Sequence, residues 1–138
     1  MAWRRVFPGR LDQVARARSW SAMLLAHTSR ADDAELILTE LVSNALLHTR
    51  SGEPGGWFGV EIALGCYARM AVHDLGGRPT PQLPCTAPEN EDALTEHGHG
   101  LRVVQDLAAL VGVDGSPASG HTVWALLALE PSPALQAT

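Results

Sequence analysis

Residues 37–46 of the chain read ILTELVSNAL and carry the clearest periodic pattern in the sequence. Their apolar side chains recur at the spacing of one helix face, which predicts a helix that Asp32 or Asp33 caps and that ends at His48. Glu40 and Asn44 lie on one face of this helix, about one turn apart, beside the apolar stripe. A carboxylate there can accept a proton, and an amide oxygen is a hard ligand suited to Mg²⁺.

Shorter elements flank this helix. Further helices are predicted over residues 11–27 and 101–110, and strands over residues 3–7, 57–64, 68–73, 111–113 and 121–129. This order contains hairpins in place of alternating strand–helix units. It therefore predicts an α+β sandwich, with helices on one face of a mixed, mostly antiparallel sheet. We expect one domain over residues 1–130, a long loop over residues 79–97 and a frayed tail over residues 131–138.

The composition excludes several classes of protein. The chain has 138 residues, a hydrophobic fraction of 46% and a formal net charge of −5, so nucleic acid and anionic membranes are not expected as main partners, although a local basic patch is compatible with these values. All ten basic residues are arginine. The absence of lysine rules out a Walker-A loop and Schiff-base catalysis. The two cysteines form no Cys-x-x-Cys pair, and no leader or membrane-length apolar run is visible, so we expect a cytoplasmic protein.

Two further motifs contain groups suited to a nucleotide. Asp74-Leu75-Gly76 follows a predicted strand; ionised Asp74 can accept a hydrogen bond from an amine such as that of adenine, and Gly76 lets a flat ring approach the backbone. Gly98-His99-Gly100-Leu101 opens a predicted helix, where free amides and the helix dipole favour an anion. Taken singly, each motif is also compatible with a plain turn or hinge, and Glu40 with an exposed helix face.

Together the motifs resemble a known family. Glu-x-x-x-Asn, Asp-x-Gly and Gly-x-Gly-Leu, in this order and with a long loop before the last, are similar to the three nucleotide-binding boxes of the GHKL (Bergerat-fold) ATPase/kinase superfamily. The resemblance covers nearly the whole chain and includes the Gly-His-Thr-Val-Trp segment at residues 120–124. The greatest likeness is to the small stand-alone branch of anti-sigma-factor serine kinases.

The resemblance implies a role for each matching residue. Glu40 would be the general base, Asn44 would hold Mg²⁺, Asp74 and Gly76 would bind adenine, and Thr122 would support the base. Gly98, Gly100 and Leu101 would present backbone amides to the phosphates, and residues 79–97 would form a lid over ATP. It also implies protein partners, namely a sigma factor and an anti-anti-sigma antagonist that is phosphorylated, and a possible homodimer.

Some features depart from the family or stay open. Arg78 stands where the wider family often has a second glycine, and His99 stands where this branch often has arginine. His97, His99 and His121 lack the spacing of a zinc site. A nucleotide-dependent switch that binds partners without phosphorylating them remains an alternative function, and a plain structural domain is a second. Trp3 and Trp20 could mark a partner surface near the first helix.

Overall fold

The computed structural model describes residues 1–77 and 96–129. Its helices are α1 (Gln13–Leu25), α2 (Ala31–His48) and α3 (Glu96–Leu107), and a 3₁₀ turn covers Arg50–Gly52. Its strands are β1 (Ala2–Pro8), β2 (Trp57–Leu64), β3 (Tyr67–His73), β4 (Leu110–Ser116) and β5 (Gly120–Ala128). The predicted lid lies outside the described residues except for positions 96 and 97, which begin α3, and the predicted tail lies outside them entirely.

The strands form one sheet in the order β1-β2-β3-β5-β4. Every strand pairing among the described residues is antiparallel, so the mixed character expected from the sequence is not found there. The chain reaches β4 through α3 and returns in a hairpin, which inserts β5 between β3 and β4. The predicted α+β sandwich is confirmed.

The core lies between α2 and the sheet. The buried residues of α2 recur at helical spacing: Ala34, Ile37, Leu38, Leu41, Val42, Ala45 and Leu46. They belong to one apolar cluster with alternate residues of the central strands, including Met70, Val72, Val123 and Ala125. Helix α2 contacts both α1 and α3 and is the central helix of its layer. No helix of the described ranges is both long and apolar enough to cross a membrane.

The boundary between α3 and β4 differs from the prediction. The helix begins at Glu96 and ends at Leu107, whereas the sequence predicted residues 101–110. Leu110 pairs with Leu126 of β5, and the Ala109 amide donates to the Leu126 carbonyl at 2.7 Å. These sheet hydrogen bonds hold residues 109 and 110 extended, because a residue in the β ladder cannot also continue the helix. Strand β4 is correspondingly longer than residues 111–113.

The start of α2 is held by an arginine and not by the predicted aspartate cap. Asp32 and Asp33 lie in the first turn, and no side chain caps the helix. The Arg30 guanidinium donates to Asp33 at 3.0 Å, to the Ala128 carbonyl at 3.0 Å and to the Leu107 carbonyl at 3.4 Å. Arg30 thus joins the start of α2 to the ends of α3 and β5, which are tertiary contacts that a local capping rule does not include.

Candidate functional site

A buried carboxylate lies where β3 ends. The Asp74 side chain is only 2% exposed. Its Oδ1 accepts hydrogen bonds from the backbone amides of Gly76 at 2.7 Å and His121 at 3.1 Å. Both hydrogen bonds that the structure gives this carboxylate thus go to one oxygen. A buried carboxylate is costly unless it is hydrogen-bonded, and the two amides supply hydrogen bonds to Oδ1, whereas neither bonds to Oδ2.

The loop that follows Asp74 is held on one side by the segment after α2. The Arg50 amide donates to the Gly76 carbonyl at 2.8 Å, and the Leu75 amide donates to Ser51 Oγ at 3.0 Å. Ser51 is fully buried, and Thr49 fixes its position by accepting a hydrogen bond from the Ser51 amide. The segment that directly follows α2 is therefore hydrogen-bonded to the Asp74 loop.

The β4–β5 hairpin holds the other side of the loop. The Gly77 amide donates to the Pro117 carbonyl at 2.7 Å, and the Asp74 amide donates to the His121 carbonyl at 2.8 Å. Gly76 has a φ of +71°, and a Cβ at that position would lie 2.4 Å from the Pro117 oxygen. Gly76 is thus required both by the left-handed backbone and by the close approach of the hairpin.

Substituting Gly76 with alanine is expected to destabilise the protein by more than the strain of a positive φ alone would account for. Gly55 is a matched control, because its φ is +81° and nothing lies within 4 Å of a Cβ built there. Gly55→Ala should cost about 1–2 kcal/mol, the usual cost of a left-handed alanine. Gly76→Ala should cost at least about 1 kcal/mol more, because the clash with Pro117 adds to the strain. Urea unfolding measures both values, and equal costs would show that the hairpin does not constrain the loop.

Glu40 and Asn44 lie together on α2. Both are half-buried and flank the buried stripe, as the helical spacing predicted. Asn44 is one turn before the end of the helix, and the chain continues directly from there into the turn that holds the Asp74 loop. Glu40 and Asn44 thus lie on the helix whose following turn is hydrogen-bonded to the loop that contains Asp74.

The third motif lies at the start of α3. Gly98 and Gly100 are within the first turns of this helix, so the predicted hinge before the helix is part of the helix. Leu101 is 3% exposed and belongs to the core cluster, which anchors the helix start against α2. The amides of a first helical turn have no partner within the helix and can bind an anion.

Thr122 is not brought to Asp74. Side chains alternate between the two faces of a strand, and in β5 the buried positions Val123, Ala125 and Leu127 face the helices. Thr122 lies on the opposite face, where its Oγ1 is 2.7 Å from His73 Nδ1.

The residue that does reach Asp74 is His121, which the motif comparison did not select. Its side chain is buried, and Nδ1 lies 3.4 Å from Asp74 Oδ1. The alternation of apolar residues at 123, 125 and 127 was a signal for this, since it places position 121 on the core face as well.

A metal ion would need ligands beyond the protein acids at this site. Within residues 1–77 and 96–129 no group of three or more His, Cys, Asp or Glu side chains could hold a metal. Asn44 offers one hard oxygen ligand, which fits Mg²⁺ bound mainly by phosphate oxygens and water. The residues present therefore fit a magnesium–nucleotide complex better than a resident metal centre.

The two-layer fold, with its helices on one face of an antiparallel sheet, is that of a GHKL-type ATPase domain. The family model for the histidine kinase-like ATPase domain matches residues 7–126. The chain belongs to this family, and an ATPase domain of this kind implies ATP binding. No curated protein matches the chain.

Proposed function

We propose that the protein is a Mg²⁺- and ATP-dependent serine/threonine kinase of the anti-sigma-factor type. It would phosphorylate an anti-anti-sigma antagonist and sequester a sigma factor, as the small stand-alone members that it resembles do. The buried Asp74 carboxylate, held by a loop tied to the end of α2, is the observation that carries the ATP site. The kinase assignment rests on Glu40, which lies on the same helix face as Asn44.

The adenine end of the proposed site consists of Asp74 and Gly76. Two backbone amides hold Asp74 Oδ1, and Oδ2 would accept a hydrogen bond from the exocyclic amine of adenine. Gly76 presents backbone without a Cβ, so the ring can lie close to the loop. Thr122 lies on the other face of the sheet, and the proposal does not depend on it.

The phosphate end consists of Asn44 and the start of α3. Asn44 would hold Mg²⁺ through its side-chain oxygen, and the bound ion would neutralise charge on the phosphates. Of the three predicted groups, the Gly98 amide lies in the first turn of α3 and would be free to donate to a phosphate oxygen, whereas the amides of Gly100 and Leu101 lie in the second turn, where helical hydrogen bonds engage them. This arrangement suits a chain without lysine, since amides and a metal ion replace the usual ammonium group.

Glu40 would act as general base in the transfer. It would accept the proton from the serine or threonine hydroxyl as that oxygen forms a bond to the γ-phosphorus. The bond from the γ-phosphorus to the bridging oxygen breaks, and ADP leaves with the electron pair. Positioning and charge neutralisation account for most of the rate in such transfers.

Titration calorimetry with MgATP and MgADP is the first test of this proposal. We expect one site per chain and a weaker complex in EDTA, because the phosphates then lose the metal that Asn44 helps to bind. Glu61→Gln is a control, since Glu61 pairs with Arg4 and Arg69 on the sheet face away from the helices. Folded protein that gives no heat with either nucleotide would exclude the ATP site.

The kinase step needs a separate assay. We expect label from γ-labelled ATP to appear on a small antagonist protein encoded nearby, on a serine or threonine. A chain that binds ATP and changes partner affinity without transferring label would be a nucleotide-dependent binding switch. Sedimentation of the same samples tests the expected homodimer.

A further inference from the structure

The proposed ATP site does not involve the hollow between the first strand and the first helix. This hollow has a volume of about 420 Å³. The residues that line it, which we call the β1–α1 groove, are Arg5, Ala15, Arg16, Ser19, Trp20 and Met23. None of them belongs to the motifs that place ATP, so the groove is a separate surface.

One wall of the groove is a free strand edge. Strand β1 is the first in the sheet order, and among the described residues it pairs only with β2. An edge strand presents backbone N–H and C=O groups that an extended peptide can pair with. The groove therefore combines main-chain hydrogen-bonding capacity with a recess for a side chain.

Two of the residues that line the groove are a fixed aromatic ring and a flexible apolar side chain. The Trp20 ring packs edge-on against Phe7 with ring centres 6.0 Å apart, so it is held in place. Met23 lines the groove and is 67% exposed. An exposed methionine beside a fixed aromatic ring can adapt to an incoming apolar side chain.

The charge of the groove differs sharply from that of the rest of the chain. Residues 1–30 contain six arginines and one carboxylate, whereas residues 31–138 contain four arginines and fourteen carboxylates. Arg4, Arg10 and Arg30 are in ion pairs. In the part of the chain that the structure describes, no carboxylate pairs with Arg5 or Arg16, the two cations of the groove.

The Arg5 guanidinium is also held in position. Its Cζ lies 4.9 Å from the centre of the Phe7 ring. A cation stacked on an aromatic ring keeps its charge while losing part of its freedom, which lowers the entropic cost of pairing with an anion.

From these features we propose that the β1–α1 groove binds an acidic, extended segment of a protein partner. The segment adds to the β1 edge, its carboxylates pair with Arg5 and Arg16, and one apolar side chain enters between Trp20 and Met23. A second copy of this chain fits less well, because two β1 edges would bring Arg4 and Arg5 against the same residues of the other copy. Nucleic acid is disfavoured by the net charge of −5 and gains nothing from a strand edge.

A fluorescent peptide of about ten residues is a suitable probe if every second residue is threonine and the residues between are glutamate and valine in turn. As a strand it presents both carboxylates and apolar side chains on the one face that meets the groove. Fluorescence anisotropy with the full chain should show saturable binding. A peptide with lysine in place of glutamate should not bind. The glutamate-containing peptide with N-methylated alternate amides should bind at least about tenfold more weakly, because it cannot complete the ladder.

Two double variants with the same change in net charge separate groove contacts from general attraction. Arg5→Gln with Arg16→Gln removes both groove cations, and we expect at least a tenfold loss of affinity, roughly that of one or two charge-assisted hydrogen bonds. Arg10→Gln with Arg69→Gln removes two arginines that are ion-paired and lie outside β1 and the groove. This control should stay within about twofold of the wild type.

Each other outcome overturns the proposal. An equal loss in both double variants would mean that binding follows net charge alone. If the peptide did not bind to the folded wild-type chain, the groove would not be a site for an acidic segment. The same conclusion would follow if a labelled oligonucleotide bound more tightly than the acidic peptide. Concentration-dependent self-association that only the Arg5/Arg16 variant abolishes would identify a second copy as the occupant. ATP affinity should be unchanged in all of these variants. A negative result for peptide binding would therefore leave the proposed ATP site intact, and the reverse also holds.

Discussion

Replacing Glu40 with alanine is expected to lower phosphoryl transfer by roughly 10²–10⁴ while ATP affinity stays near the wild-type value, because a positioned base contributes about that much to the rate. The change removes the proposed base but neither Asn44 nor the Asp74 loop. Alanine is also the best helix former, and Glu40 lies beside the buried stripe of α2 and not within it, so the fold should persist. Single-turnover transfer from γ-labelled ATP measures the rate, and calorimetry measures the affinity.

Two variants on the same helix are the controls for Glu40. Glu35→Ala makes the same chemical change in α2 outside the proposed site and should leave the rate within about twofold. Asn44→Ala should weaken the magnesium–nucleotide complex itself, and transfer should fall as a result. If Glu40→Ala transfers phosphate at the wild-type rate, the base is another group.

Replacing Asp74 with asparagine is expected to weaken ATP binding roughly ten- to hundredfold, since an unsatisfied buried polar pair costs about 1–3 kcal/mol. The side-chain oxygen of asparagine can keep the hydrogen bonds from the Gly76 and His121 amides. The new amide nitrogen would then replace Oδ2 and face the amine of adenine, donor against donor. Calorimetry measures the loss, and thermal unfolding checks that the loop has kept its structure.

The same variant should change the preference among bases. Guanine has a carbonyl oxygen where adenine has its amine, so the asparagine nitrogen can donate to it. Selectivity for ATP over GTP should therefore shrink. Glu61→Gln makes the equivalent carboxylate-to-amide change on the far face of the sheet and should alter neither affinity nor selectivity. If Asp74→Asn bound ATP as tightly as the wild type, Asp74 would only stabilise the turn and would not contact adenine.

Much of the fold follows from local patterns. The stripe of α2 is long and strictly periodic, so its existence and type could be predicted from residues 34–46 alone. The hairpin of β2 and β3 could be predicted because only residues 65–67 separate two β-type runs, although Tyr67 is itself the first residue of β3. The same periodicity placed Glu40 and Asn44 on one face, and the structure has them there.

Other features depend on contacts between distant segments and escaped prediction. The end of α3 is decided by the pairing of Leu110 with Leu126, which no local propensity encodes. The start of α2 depends on Arg30 reaching Leu107 and Ala128. The position of His121 is different, because the local alternation along β5 already placed its side chain on the core face, whereas the motif directed attention to Thr122.

The interlocked turns at Asp74 and at the β4–β5 hairpin have a consequence for how the protein opens. Gly76 meets the Pro117 oxygen, and Gly120, with a φ of +92°, would place a Cβ 2.3 Å from the Asp74 oxygen. The amide hydrogens of Asp74 and Gly77 are each bonded to a carbonyl of the hairpin segment. Neither turn can move away without breaking the other's main-chain hydrogen bonds. These two hydrogens should therefore exchange through one opening and show the same protection factor in a hydrogen-exchange measurement. The end of the molecule proposed to receive the base should thus open as a single cooperative unit, although Asp74 and His121 are 47 residues apart in the chain.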